Sequence, residues 1–177
     1  MKPFFILSLP RSRTAWFSTF LTYGNSFCFH EALIEGKGMK SLMTRMEETG
    51  YPTVGNSDSG SILFYDELQD QFPKSKCVII LRKPEEVVES LSTINVFVSE
   101  GLVELAHERL LSLRDTHPTY AFEDLGMENC KSIYEYLTEQ EFNPQRWELL
   151  NSLTIEVNVD FLHNKVNKNK HNLMGMS

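Results

Sequence analysis

A chain of 177 residues fits one domain, and folding at that size removes about 70% of the unfolded chain's surface from water. Its 41% hydrophobic and 23% charged residues are those of an ordinary globular protein. A net charge of -7 argues against general binding to nucleic-acid polymers, which requires a basic face. A small anionic ligand is still compatible with it, because a few local cations outweigh a diffuse negative field. The three cysteines, Cys28, Cys77 and Cys130, are far apart and form no metal-type spacing, so they read as reduced structural thiols. The apolar run Phe4–Leu9 is too short for the core of a signal peptide and leads into arginines. No stretch approaches the ~20 apolar residues of a membrane span. The expectation is a soluble, cytoplasmic protein with no membrane partner.

In chain order, Phe4–Leu9 reads as a strand buried on both faces. Thr14–Tyr23 follows as a helix with Trp16, Phe17, Phe20 and Leu21 on one face, and Gly24 is placed to end it. Ser26–Phe29 is a second strand, Met39–Thr49 a helix and Pro52–Gly55 a brief strand. Ile62–Phe72 is helical, with Leu63, Leu68 and Phe72 available for packing. Cys77–Leu81 is the clearest strand, and Pro84 opens a helix through Leu91, where proline is tolerated. Leu102–Leu113 is amphipathic, Thr119–Phe122 a fifth strand, and helices follow near Glu128–Leu137 and Pro144–Leu150. The alternation implies a three-layer α/β/α domain over residues 1–157 with a mostly parallel central sheet. Residues 158–177 form a polar tail rich in Asn, Lys and His, expected to be a peripheral cap or partly disordered.

Ligands of open parallel sheets bind beyond the carboxyl ends of the strands, where Leu9–Arg13 lies. A strand turning straight into a helix aims the first turn's unpaired amides, and the positive end of the dipole, at that crevice. Arg11 and Arg13 add forked charged donors, and Ser12 and Thr14 add hydroxyls. Cations at a helix start oppose its dipole unless an anion lies between them. The segment has neither the glycines nor the lysine of GxxxxGK[ST], which disfavours a Mg-dependent kinase or NTPase.

Pro10-Arg11-Ser12-Arg13-Thr14-Ala15-Trp16 resembles the 5′-phosphosulfate loop of sulfotransferases that use 3′-phosphoadenosine 5′-phosphosulfate. The run Val78–Leu91 resembles that family's 3′-phosphate segment: a hydrophobic strand, Arg82, a nearby Pro84, and Ser90 eight positions after the arginine. Phe72–Lys76 is similar to the family's approach to this strand, and Tyr120–Leu125 to its structural (Tyr/Phe)-Glu-Asp-Leu segment. Arg13 stands where the family usually has glycine, and the Arg-Lys-Gly-type segment that closes over the nucleotide in cytosolic members is not found. Arg13 is therefore expected either to be strained or to sit in a more helical loop, gripping the anion.

The resemblance implies a P-loop-like fold and transfer of a sulfonate from 3′-phosphoadenosine 5′-phosphosulfate, leaving 3′,5′-bisphosphoadenosine, without a metal. The acceptor would be a hydroxyl or amine on a small molecule or carbohydrate. Arg11, Ser12, Arg13, Thr14, Ala15 and Trp16 would form the 5′ site, with the Trp16 ring more a core residue than a stacker. Arg82 and Ser90 would hold the 3′-phosphate, and Arg11 would stabilise the leaving oxygen. Phe29-His30-Glu31-Ala32-Leu33 resembles the place where carbohydrate-type members carry a base, and Glu31 is favoured over His30. Asp58, after the Pro52–Gly55 strand, could touch an acceptor but fits a cap better. Two alternatives stay open: a P-loop nucleotide kinase or other phosphotransferase, and a non-catalytic nucleotide-binding protein that keeps the fold.

Overall fold

The computed structural model describes residues 1–35, 38–96, 98–153 and 155. The tail expected over 158–177 lies outside them. Five strands, β1 (Lys2–Ser8), β2 (Ser26–His30), β3 (Thr53–Asp58), β4 (Lys76–Leu81) and β5 (Thr119–Ala121), form one sheet in the order β2-β3-β1-β4-β5. Every neighbouring pair is parallel, so the sheet is wholly rather than mostly parallel. The residues of β1 alternate between two cores. Phe4 and Ile6 pack under α1 (Thr14–Leu21), α7 (Met127–Thr138) and α8 (Pro144–Ser152). Phe5 and Leu7 pack on the other face, under α2 (Ala32–Glu35), α3 (Met39–Glu48), α4 (Tyr65–Gln71), α5 (Pro84–Ser92) and α6 (Glu100–Ser112). Helices on both faces leave a central strand no polar side, which is why β1 reads as an unbroken apolar run.

Helix α1 presents Trp16, Phe17, Phe20 and Leu21 to the sheet, all buried. Trp16 stacks on Phe20 with ring centroids 4.7 Å apart, and burial of each such ring contributes about 1.5–3 kcal/mol. The helix ends at Leu21, two residues earlier than its pattern suggests, and Gly24 serves the following turn with φ +61°. The stretch Ile62–Phe72 is not one helix: Ser61–Phe64 is a 3₁₀ turn before α4. That turn rotates Leu63 outward, to 45% exposure, while Leu68 and Phe72 are buried as expected. Strand β3 runs on to Asp58, past Gly55, because it pairs with β2 on one side and β1 on the other. β5 stops at Ala121, where Phe122–Asp124 coils into a 3₁₀ turn.

This strand order fixes where a ligand site can form. The chain leaving β1 goes to β2 at one edge, whereas the chain leaving β4 goes to β5 at the other. β1 and β4 are neighbours, so the crevice opens between their carboxyl ends. The loop Leu9–Arg13 follows β1 at that end, and Arg82 immediately follows β4.

Candidate functional site

The loop between β1 and α1 is compact and left-handed at two points. Arg11 and Arg13 both have φ of 62°, with Arg13 as the N-cap of α1. The loop is therefore not more helical, and its arginine does meet the backbone demand that glycine meets elsewhere. The first bond of α1 runs from the Phe17 amide to the Arg13 carbonyl at 2.8 Å, so the amides of Thr14, Ala15 and Trp16 have no partner within the helix. The Ser12 side chain is fully buried, and its hydroxyl has no hydrogen-bond partner among the described residues. A buried hydroxyl without a partner is costly, and the oxygen of a bound phosphate would satisfy it.

On the β4 side, three candidates meet. The Arg11 Nε donates to Ser90 Oγ at 3.0 Å, and Arg82 Nη1 donates to the Arg11 carbonyl. Arg82 is held in turn by the Phe122 ring, 4.2 Å from its guanidinium carbon, and by Glu86, 3.6 Å from its Nε. Glu86 stands one turn after Arg82 at the start of α5, a spacing visible in the sequence; Phe122 arrives only through the β4–β5 pairing.

On the β2 side, Thr14 Oγ1 and His30 Nε2 are 3.1 Å apart, sharing a hydrogen bond whose direction depends on the tautomer. Glu31 Oε1 is 3.9 Å from the same nitrogen and accepts from Ser59 Oγ at 3.1 Å. Glu31 itself is left-handed, φ 50°, with its amide donating to the Ser57 carbonyl. The next two amides are capped from β3: Ala32 donates to Asn56 Oδ1 at 3.2 Å and Leu33 to Asp58 Oδ2 at 2.9 Å. Asp58 also accepts from the Gly60 amide at 2.7 Å, so it caps two turns, the role its position suggested. Ser59 and Asn56 carry no local sequence signal; only the β2–β3 pairing brings Ser59 to Glu31 and Asn56 to the Ala32 amide.

No model of a known protein family matches the chain, and no curated protein matches it. Among solved structures, it is similar to a shikimate kinase from Bacteroides thetaiotaomicron at 16% identity, with a TM-score of 0.42, over 78% of this chain and 96% of that one. So distant a likeness carries no argument about activity.

The expected Arg13 grip faces elsewhere, whereas the Trp16 ring packs where it was expected. The Arg13 guanidinium lies 4.4 Å from the Trp16 ring centre and donates to Asn151 Oδ1 at 2.8 Å, so the side chain does not reach into the crevice; burial draws its pKa downward. The Trp16 indole is core, its Nε1 donating to the Leu150 carbonyl at 3.3 Å, which leaves its backbone amide for a ligand. Elsewhere, no helix among the described residues is long and apolar enough to cross a membrane.

Proposed function

We propose that this protein binds a nucleotide through the β1–α1 loop and transfers a sulfonate from 3′-phosphoadenosine 5′-phosphosulfate to an acceptor hydroxyl or amine. The observation that supports this best is the linkage of Arg11, Arg82 and Ser90 at one crevice, beside a loop whose Ser12 hydroxyl is buried without a partner. Arg11, which the sequence resemblance assigns to the 5′ end of the donor, is thus bonded to Arg82 and Ser90, which it assigns to the 3′ end.

The amides of Ser12–Ala15 and the Thr14 hydroxyl would hold the 5′ end, and Arg82 with Ser90 the 3′-phosphate. Arg11 would stabilise the negative charge that builds on the leaving phosphate oxygen. Glu31 would take the acceptor's proton as its oxygen bonds to sulfur and the sulfur–oxygen bond to the phosphate breaks. His30, bonded to Thr14, lies close enough to Glu31 to orient it. Sulfuryl transfer of this kind depends on positioning and charge stabilisation, as phosphoryl transfer does.

Calorimetry and thermal shift with 3′,5′-bisphosphoadenosine, AMP and Mg-ATP test the reading. The bisphosphate should bind best, and Glu31→Gln should keep that affinity while lowering turnover about 10²–10⁴-fold once an acceptor is in hand. No bisphosphate binding at roughly 10⁻⁴ M, about −5.5 kcal/mol, would count against the donor assignment. A preference for Mg-ATP would favour a phosphotransferase on this fold, and unchanged turnover in Glu31→Gln would remove the base.

A further inference from the structure

We infer that Arg82 is a positioning residue for the phosphate loop itself, acting through the Arg11 carbonyl; this rests on the anion-binding reading of that loop and adds to any contact Arg82 makes with a ligand. Three elements fix its guanidinium. It leaves the end of β4, lies against the Phe122 ring, and has Glu86 of α5 3.6 Å from its Nε, with 15% of its side chain exposed. Its Nη1 then donates to the Arg11 carbonyl, across a separation of 71 residues in the chain.

That carbonyl belongs to a residue in a conformation that side-chain-bearing residues hold only when their surroundings impose it: Arg11 has φ of 62° and carries a Cβ. The other restraint on Arg11 comes from the same wall, since its Nε donates to Ser90 of α5. A peptide unit is planar and trans, so its N–H points opposite to its C=O. Holding the Arg11 oxygen on Arg82 therefore sets the direction of the Ser12 amide, a member of the anion-binding loop. It also keeps a carbonyl oxygen, which would repel a phosphate, turned toward a cation. The two ends of the site are thus coupled: the residue at the 3′ end builds the loop at the 5′ end.

This makes a prediction that a simple 3′-phosphate ligand does not. Arg82→Met keeps the stem and removes every donor. Amide hydrogen exchange at Ser12 and Arg13 of the unliganded protein should then rise, with Tm little changed. Affinity for AMP and for inorganic pyrophosphate, neither of which has a 3′-phosphate, should fall about tenfold, the scale of one hydrogen bond to a charged group. Arg82→Lys, which keeps a cationic donor, should recover part of both. If the Met variant does not fold, Arg82→Gln against Arg82→Lys gives the same comparison. Unchanged loop exchange, or a loss confined to 3′,5′-bisphosphoadenosine, would overturn the inference. A wild-type protein that binds none of these anions would instead overturn the proposed function, and the exchange measurement, which needs no ligand, would still decide the role of Arg82.

Discussion

Arg13 shows how much one residue's backbone can be read from sequence. Its place in a phosphate-loop pattern where glycine is usual leaves two conformations open, a strained left-handed residue or a more helical loop, and φ of 62° is the first of them. For a residue with a Cβ this costs about 1–2 kcal/mol. Contact with Trp16 and the bond to Asn151 offset it, a cation–π contact contributing about 0.5–2 kcal/mol. Arg13→Gly trades the contacts for relief of strain and should change stability by less than about 1 kcal/mol. Arg13→Ala loses the contacts and keeps the strain, so it should be less stable than Arg13→Gly by about 1 kcal/mol, against the usual preference for alanine. Urea denaturation of the two variants measures this; an Ala variant as stable as the Gly variant would show that the strain is absent. Nothing comparable announces Glu31. Its left-handed turn is imposed by the Ser57 carbonyl and the Asn56 side chain of β3 and by Ser59 just after it, all distant in sequence.

At the scale of elements, β3 positions the Glu31 turn and was the least legible strand. Its end, Asn56-Ser57-Asp58, is polar yet fully buried, so hydropathy stops the strand at Gly55. The burial of Asn56 and Asp58 is tolerated because they cap the turn after Glu31 and the turn at Gly60, with Asn56 Nδ2 donating to Asp58 at 3.3 Å. Gly55 itself is required by packing. It pairs with Phe4 across β1, and an added Cβ would lie 2.0 Å from the Phe4 ring. Gly55→Ala must displace that ring from the core under α1, at about 1–3 kcal/mol or more. Its chemical denaturation midpoint should fall accordingly, and a wild-type midpoint would mean that the ring moves freely.

Across the whole molecule, the two cores on either side of the sheet leave the thiols out of reach. Cys28, Cys77 and Cys130 are all buried and unbridged. Burial pushes every one of their pKa values up, that of Cys77 to about 11, so little thiolate exists near neutrality. A thiol reagent should leave the native protein unlabelled at pH 7 and modify all three cysteines together through the urea transition. Any one of them reacting at the rate of a free thiol in native buffer would contradict this packing.

The strand–loop–helix from β1 to α1 and the strand–Pro–helix from β4 to α5 were determined by the sequence alone, because each depends on apolar periodicity and turn chemistry among near neighbours. Those local patterns also placed Arg11, Thr14, Arg82 and Ser90 at strand and helix ends. Tertiary structure alone decided what they touch. The order β2-β3-β1-β4-β5 puts Arg82 on the Arg11 carbonyl, His30 on Thr14 and Ser59 on Glu31. The same packing turned Arg13 onto Trp16 and away from the crevice, because a guanidinium beside the Trp16 ring and the end of α8 finds partners there that no local pattern records.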